Sequence, residues 1–305
     1  MRIVVNGQQA FGKSVFDALL ERGEQVVAVY GAAEKPGQRP DPLKQAAVEK
    51  GLPIYQPKSF RKPEVWEEFK TLSPDLVVMA YVTLFVPEEF LNIPTHGTIQ
   101  YHPSLLPEHR GPSSINWPII QGKTRTGLTI FWPDNGLDTG PVLLQKEVEI
   151  SESDTLGSVY FDRLFPMGVE AMLEAVDLVK AGNAPRIAQD DSKSTYESWC
   201  KAEDVGVDWN KSTAEIHNLI RGADPQPGAW TTLAGKKVQL YDSARGAPAD
   251  GQPGAVTSVE EAGLSVATGD GTVVVARVRP QDGKKMGASE FAQQAGVSVG
   301  TQLGG

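Results

Sequence analysis

The chain has 305 residues, of which 40% are hydrophobic and 22% charged, and its formal net charge is −9. This length and composition can bury a core in one large or two smaller domains. The negative charge argues against a general nucleic-acid-binding protein, because phosphate contacts need clustered Lys and Arg. The single cysteine, Cys200, and four scattered histidines provide neither a disulfide framework nor a zinc-binding spacing, so we predict no metal site.

The sequence carries no recognisable membrane or export signal. No apolar run approaches the roughly 18 residues of a transmembrane helix. The N-terminal segment MRIVVNGQQ also lacks the basic and long apolar regions of a signal peptide. We therefore expect a cytoplasmic protein without membrane association.

The first 200 residues alternate short β-branched runs with helical patterns. Strands are predicted at RIVVNG, QVVAVYG, DLVVMAY, GTIQYH, GLTIFW and PVLLQKEVEI. Helices are predicted at Phe11–Arg22, PLKQAAVEKG, PEVWEEFKTL and Thr155–Ala181. This alternation predicts an α/β domain over residues 1–200, with a Rossmann-like, mostly parallel sheet and helices on both faces.

Residues 201–305 differ in character. One helical segment, STAEIHNLIRG, precedes the short alternating runs KKVQLYD, GAVTSV, LSVATG and TVVVARV, which Gly, Pro and Asp separate. This pattern predicts a small, OB-like C-terminal β-barrel domain. The final segment, AQQAGVSVGTQLGG, is small and polar, so we expect it to be frayed or loosely packed.

The segment GQQAFG, from Gly7 to Gly12, follows the first strand, where a dinucleotide-binding fold places its phosphate-binding turn. It lacks the GxGxxG spacing, so we expect no NAD(P) site in this chain. Two interpretations remain open. The segment is either a tight turn from strand to helix or a side wall of a substrate site.

The richest polar stretch begins with Gln100, Tyr101 and His102 at the end of a predicted parallel strand. Open α/β sheets bind their ligands outside such strand ends. Pro103 and Pro107 restrict the backbone that follows, so His102 is expected to be held in place. A lone histidine is nevertheless more often structural than catalytic, and the local sequence leaves both roles open.

A second polar loop, NGLDTG, surrounds Asp138 and follows His102 by 36 residues. Glycines on both sides allow the backbone to turn sharply and present the carboxylate. The same pattern is also typical of a hairpin turn in which Asp bonds its own backbone. This loop alone does not separate the two interpretations.

Taken together, HPSLLPEHRG, SSINW and GLDTGPVLLQ resemble the folate-dependent formyltransferase family in residues, order and spacing. IHNLIRG and PGAW extend the resemblance over nearly the whole chain. Within the family, the chain is most similar to the N-terminal hydrolase domain of 10-formyltetrahydrofolate dehydrogenase. Methionyl-tRNA formyltransferase is similar across the same two-domain layout.

The resemblance implies that His102 and Asp138 are the catalytic pair. Attack on an N-formyl carbonyl creates an oxyanion, and water or an amine must lose a proton in the same reaction. His102 can donate to the oxyanion, and Asp138 can orient the nucleophile and accept its proton. 10-Formyltetrahydrofolate is therefore the expected formyl donor.

Binding residues flank this pair. The resemblance places the folate pterin near Leu84, Phe85, Val86, Leu137 and Asp138. Without the resemblance, an apolar pair at a strand end usually belongs to a core. The polar residues assigned to substrate binding are Ser104, Arg110 and Asn116. Arg110 and Asn116 could instead hold a neighbouring loop.

Gln100 departs from the family pattern. The transferases carry Asn two residues before the histidine, and the dehydrogenase hydrolase domain carries an aliphatic residue. Gln100 keeps the amide donor but places it one methylene further from the backbone. We include it among the candidate catalytic residues, where it could hold the oxyanion, position water or make room for an acceptor.

These features predict an enzyme that removes the formyl group of 10-formyltetrahydrofolate. The acceptor is either water, which yields formate and tetrahydrofolate, or an amine. Methionyl-tRNA, an amino sugar or another small amine are alternative acceptors, and the acidic charge makes tRNA the less attractive one. An alternative from a different class is a folate-binding protein without turnover.

Overall fold

The structure is a computed structural model that describes residues 1–35, 37–247 and 251–305. Its strands are β1 Arg2–Gly7, β2 Gln25–Tyr30, β3 Ile54–Tyr55, β4 Leu76–Ala80, β5 Thr98–His102, β6 Arg125–Phe131, β7 Val142–Glu149, β8 Trp230–Leu233, β9 Lys236–Arg245, β10 Val256–Glu260, β11 Gly263–Ala267, β12 Thr272–Pro280 and β13 Met286–Gly287. Its α-helices are α1 Gln9–Glu21, α2 Pro42–Glu49, α3 Pro63–Thr71, α4 Glu88–Leu91, α5 Asn116–Ile120, α6 Leu156–Ser158, α7 Phe165–Lys180, α8 Thr213–Gly222 and α9 Ala288–Ala295.

The chain forms two compact units that alternate along the sequence. The first contains Met1–Gly111, Gly127–Glu147 and Arg163–Tyr196. The second contains Pro112–Thr126, Val148–Asp162 and Glu197–Gly305. Two internal stretches of residues 1–200, together with residues 197–200, therefore belong to the second unit.

A seven-stranded sheet forms the centre of the first unit, in the order β3-β2-β1-β4-β5-β6-β7. The five strands β1 to β5 pair in parallel, and β6 runs antiparallel to β5. This confirms the prediction of a Rossmann-like, mostly parallel sheet. The order reverses between β1 and β4, and ligands bind at such reversals in open α/β sheets.

Helices cover both faces of this sheet because successive strand residues point to opposite sides. On one face, Phe69 of α3 and Phe90 of α4 belong to the core cluster that contains Val77 and Met79 of β4. On the other face, Phe11 of α1 packs against aromatic residues from β5 and α7. The sheet thus provides a buried scaffold that fixes the positions of its strand ends.

Two glycines of the GQQAFG segment allow β1 and α1 to approach β4 closely. A Cβ atom added at Gly7 would lie 2.3 Å from the carbonyl oxygen of Ala80, and one at Gly12 would lie 3.2 Å from the same oxygen. Any side chain at Gly7 would therefore push the strands apart. Tight packing explains both glycines, as the turn interpretation predicted.

The predicted helix Thr155–Ala181 is interrupted. α6 begins after a capping box between Thr155 and Ser158, and the residues Val159–Leu164 form a π-helical turn before α7. Pro166 lies at the start of α7, where its missing N–H does not cost a helical hydrogen bond. The wider turn therefore joins two helices where one had been predicted.

The second unit contains a six-stranded sheet in the order β10-β11-β12-β9-β8, with β13 paired to β12. Within the described residues its strands pair in antiparallel ladders, which confirms a separate C-terminal β domain. Over the described residues, no ladder joins β10 to β8, so the sheet remains open along this path.

The C-terminal tail is not frayed. It begins within α9, and beyond this helix Val297 and Leu303 are 7% and 5% exposed, within the core cluster of the second unit. The backbone N–H of Val256 also donates to the carbonyl oxygen of Thr301. The expectation from the polar composition was wrong, because Val297 and Leu303 pack into the core although Val299 stays exposed.

Within the described ranges, no helix combines the length and the hydropathy that a membrane span requires.

Candidate active site

His102 lies at the carboxyl end of β5 and is 5% exposed. Its Nε2 lies 2.9 Å from the carbonyl oxygen of His109. A carbonyl only accepts hydrogen bonds, so Nε2 carries the proton of this contact. Nδ1 is therefore the ring nitrogen that is available for proton transfer.

Asp138 brings a buried carboxylate to that nitrogen. Its Oδ2 lies 3.6 Å from Nδ1 of His102 and accepts a hydrogen bond of 2.9 Å from the backbone N–H of Gly111. A separation of 3.6 Å is too long for a hydrogen bond but attracts a protonated ring. The family-implied pair is thus adjacent in space, although 36 residues separate its members in sequence.

The two oxygens of Asp138 have different surroundings. Oδ2 is engaged as described, whereas Oδ1 accepts no hydrogen bond from any residue within 1–35, 37–247 or 251–305. The Asp138 backbone has a φ of +56°, in the left-handed region that a residue with a side chain seldom adopts. Such backbone strain persists only where surrounding contacts enforce it.

Those contacts come from a segment that sequence reasoning missed. The Gln189 side-chain amide donates to the carbonyl oxygens of Asp138 and Gly140 at 2.9 and 2.7 Å. The Trp132 indole N–H holds the same segment by donating to the carbonyl oxygen of Pro185. Residues 185–196, which follow α7, therefore fix the loop that carries the carboxylate.

Arg110, predicted to bind substrate, is part of this support. Its guanidinium donates to Oε1 of Gln189 at 2.8 Å and to Asp191 at 2.7 Å. The Ser104 hydroxyl is fully buried and donates to the carbonyl oxygen of Glu108. These contacts brace the loop after β5, and a substrate contact by either residue remains a prediction.

The loops predicted to hold the pterin are joined to each other. The backbone N–H of Glu88 donates to the Asn135 side chain at 3.0 Å, and the Asn135 amide donates back to the Glu88 carboxylate at 2.9 Å. Phe85 and Leu137, on these two loops, are 47% and 54% exposed. Their exposed apolar side chains suit contact with a flat aromatic ligand.

The other members of the predicted pterin site differ in exposure. Val86 is 6% exposed and belongs to the same core cluster as Phe90, whereas Leu84 is half-buried at the edge of that cluster. The guanidinium of Arg61 lies over the ring of Phe85, 4.8 Å from its centre. Val86 therefore anchors the loop, and Phe85 is its accessible part.

Gln100 lies on β5 two residues before His102, so both side chains point to the same face of the sheet. Its half-buried amide makes no hydrogen bond to another residue in the part of the chain that the structure describes. Asn116 lies in the second unit, where its amide donates to the carbonyl oxygens of Gly222 and Gln226. Of these two amides, only that of Gln100 has donors left for a ligand.

The motif IHNLIRG supplies structural contacts within the second unit. His217 lies between the Ser243 hydroxyl and the carbonyl oxygen of Glu152, each at 2.9 Å. One turn later, Arg221 donates to the carbonyl oxygens of Ser151 and Asp154. Burial lowers the pKa of His217, so the ring is held neutral and fastens the loop before α6.

The described residues contain no group of three or more His, Cys, Asp or Glu side chains arranged to hold a metal ion. The contacts of Asp138 and His102 are with each other and with the backbone. This arrangement can accept and donate protons.

Comparison with known families agrees with this arrangement. The family described as "Formyl transferase" matches residues 1–176, and "Formyl transferase, C-terminal domain" matches residues 200–296. The chain belongs to the formyl transferase family. The resemblance carried by the sequence motifs is thereby confirmed.

Individual relatives within the formyl transferase family differ in length. The cytosolic 10-formyltetrahydrofolate dehydrogenase of Xenopus laevis is 40% identical over 310 residues, which cover 97% of this chain and 34% of that protein. The chain thus spans about a third of that relative's length. The methionyl-tRNA formyltransferase of Trichlorobacter lovleyi is 38% identical over 307 residues, covering 99% of this chain and 96% of that protein.

Among solved structures, HypX from Aquifex aeolicus in complex with tetrahydrofolic acid has a TM-score of 0.70 and 21% sequence identity. The match covers 96% of this chain and 47% of that one. At this identity the likeness concerns the fold, which is the one expected of a formyl transferase.

Proposed function

We propose that this formyl transferase binds 10-formyltetrahydrofolate and removes its formyl group, either by hydrolysis or by transfer to an amine. The observation that carries the proposal is the buried carboxylate of Asp138. One oxygen is fixed by the Gly111 N–H beside His102, and the other has no partner in the described chain. The carboxylate is held in position through Oδ2, and Oδ1, which lacks a partner, is therefore suited to accept a proton.

In this mechanism, Oδ1 of Asp138 takes the proton from the attacking water or amine. The nucleophile forms a bond to the formyl carbon, and the carbonyl electrons move onto oxygen. His102 donates from Nδ1 when the ring is protonated, because Nε2 already bonds the His109 carbonyl. The Gln100 amide is a second donor for this oxyanion.

Collapse of the tetrahedral intermediate breaks the bond between the formyl carbon and N10 of the folate. N10 receives the proton that the nucleophile lost, by way of the Asp138 and His102 pair. With water, the products are formate, a proton released to solvent and tetrahydrofolate, and with an amine they are a formamide and tetrahydrofolate. Atoms and charge balance without a redox step.

The two loops joined by Glu88 and Asn135 support the folate part of the proposal. They present the exposed Phe85 and Leu137 side chains on either side of this link. We assign pterin contact to Phe85, Leu137 and Leu84, with Val86 as the buried anchor. Charge leaves methionyl-tRNA a less attractive acceptor than a small amine or an amino sugar, because the net charge is −9.

The deciding experiment is incubation of the purified protein with 10-formyltetrahydrofolate alone. Formate and tetrahydrofolate are measured separately over time. Steady release of both establishes hydrolysis, whereas release of tetrahydrofolate without formate, and only after an amine is added, establishes transfer. Tight folate binding without turnover under either condition would replace the proposal with a folate-binding protein that has lost catalysis.

A further inference from the structure

A small cleft opens where the strand order reverses, between the carboxyl ends of β1 and β4. We call it the β1–β4 cleft, and the lining residues used below are Asn6, Gln8, Tyr81, Thr83 and Leu84. It encloses about 200 Å³ of empty space, counting its open mouth. Because that figure includes open solvent, the cleft suits a single polar group of a ligand whose remainder lies outside it.

Asn6 in this cleft carries an unpaired hydrogen-bond donor. Asn6 is 3% exposed, and its side-chain Nδ2 has no hydrogen-bond partner within the described residues. A buried polar group without a partner costs about 1–3 kcal/mol, so such groups are rare unless a ligand or water pairs with them. The terminal torsion of Asn is broad, which lets the amide turn toward an oxygen in the cleft.

Strand register relates Asn6 to the candidate active site. Asn6 pairs with Met79 of β4, and Met79 pairs with Gln100 of β5. Directly paired residues point to the same face, so both amides flank Met79 on one side of the sheet. Neighbouring strands are about 4.8 Å apart, which puts the two backbones about 10 Å from each other.

The cleft also borders the loop assigned to folate. Leu84 lines it, and Gln8 donates across it to the Thr83 hydroxyl at 3.3 Å. Tyr81, at the end of β4, has a φ of +67°. Residues with such a strained backbone occur mainly at active sites and ligand-binding sites.

The lining selects a neutral ligand. All ten lining side chains are uncharged at neutral pH. At the adjacent start of α1, the backbone N–H of Gln9 is already occupied by the Asp41 carboxylate at 2.8 Å. A phosphate or carboxylate would meet this negative charge and no cation in the lining.

We infer that the β1–β4 cleft binds the neutral, oxygen-bearing part of a small formyl acceptor, with Asn6 donating to that oxygen. The inference rests on the proposed function and specifies its acceptor. Such an acceptor would place its oxygen at Asn6 and its amine toward Gln100 and His102. Asn6 is thus a specificity residue, and the reacting groups stay at His102 and Asp138.

The first test compares amines that differ only in oxygen. 2-Aminoethanol and propylamine differ by a hydroxyl in place of a methyl group, and glycinamide tests a carbonyl oxygen. With 10-formyltetrahydrofolate as donor and kcat/KM expressed per concentration of unprotonated amine, because the three amines differ in basicity, we expect the values for the two oxygen-bearing amines to exceed that for propylamine by about fivefold to tenfold. In Asn6→Leu this ratio should fall to about one, while folate binding stays unchanged.

Tyr30→Phe is the matched control. Tyr30 also carries a buried oxygen without a partner and pairs directly with Asn6 in β2, but it does not line the cleft. Both substitutions remove an unpaired polar group, so neither should destabilise the fold. A selectivity ratio that survives in Asn6→Leu, or falls equally in Tyr30→Phe, overturns the inference.

A binding measurement separates the cleft from the proposed function. The side-chain amide signals of Asn6, assigned by their loss in Asn6→Leu, are followed by NMR while 2-aminoethanol or glycinamide is added without folate. Saturable shifts support the cleft even if no turnover is ever found. An absence of shifts up to 50-fold above the highest amine concentration used in the transfer assay overturns it, as does displacement of the bound amine by tetrahydrofolate.

Discussion

Replacing Asp138 with asparagine removes the charge of the proposed base while preserving the side chain's shape. The amide oxygen can still accept the 2.9 Å hydrogen bond from the Gly111 N–H. The free energy of unfolding should therefore change by less than about 1 kcal/mol. Loss of a positioned general base lowers kcat by about 10²–10⁴-fold, and we expect Asp138→Asn to fall in this range.

The assay is formation of tetrahydrofolate, the product common to hydrolysis and transfer, under single-turnover conditions with excess enzyme. Folate affinity, measured in parallel by tryptophan fluorescence, should stay within about threefold of the unsubstituted protein, because asparagine keeps the shape of the side chain and its hydrogen bond from the Gly111 N–H. Single turnover removes product release from the rate. The measured decrease then reports the step in which the proton is taken.

Asp134→Asn is the matched control for this prediction. Asp134 lies on the same loop, and its Oδ1 accepts hydrogen bonds from the Gly136 N–H and the Thr139 hydroxyl at 2.9 and 2.6 Å. It supports the loop and has no place in the proton path. If Asp138→Asn kept more than a tenth of the activity, or if Asp134→Asn lost as much, the assignment of Asp138 as base would be refuted.

Three further outcomes are expected. Gln189→Leu removes both donors to the Asp138 loop and should lower kcat by up to about 100-fold with little loss of folate binding, measured by the same assays. Gly140→Ala would place Cβ 1.8 Å from the Trp132 carbonyl oxygen, so thermal unfolding should show a loss of about 3 kcal/mol. Because burial lowers the pKa of His217, the unfolded chain takes up a proton more readily as pH falls below about 6.5, and stability should drop there, by at most about 1.4 kcal/mol per pH unit for this group.

Each of these predictions has a control variant or a result that would contradict it. Gly287→Ala adds a Cβ into open space and should change stability by less than about 1 kcal/mol. His217→Gln should show a shallower loss of stability between pH 7 and 5.5 than the unsubstituted protein, and equal slopes would exclude His217 as the source. Unchanged kcat in Gln189→Leu would show that the loop holds Asp138 without this support.

The sequence predicted the sheet from local patterns, and local patterns also singled out His102 and Asp138 as candidate site residues. β5 ends in a polar residue after a β-branched run, and the Asp138 loop is flanked by glycines. The family motifs then linked His102 to Asp138. The adjacency of the two side chains, however, depends on the fold that joins β5 to the loop before β7.

Gln189 could not be found in this way. It lies in a polar stretch without periodicity, and its partners Asp138 and Gly140 are about 50 residues earlier in the chain. Hydrogen bonds over such separations leave no spacing signal. The sequence did not single out Asn6 for a related reason. The segment RIVVNG indicated an ordinary strand, and the parallel register that aligns Asn6 with Gln100 cannot be read from either strand alone.

The residues that support the Asp138 loop, 185–196, come later in the chain than the sheet itself. A chain that ended at Lys180 would contain every strand of the seven-stranded sheet and both side chains proposed for catalysis. It still lacks Gln189, and also Thr195, whose hydroxyl accepts the backbone N–H of His109 at 2.8 Å. The hydrogen bonds that hold the proposed proton-transfer site are therefore completed by the last polar segment of this unit, which returns to the strand ends.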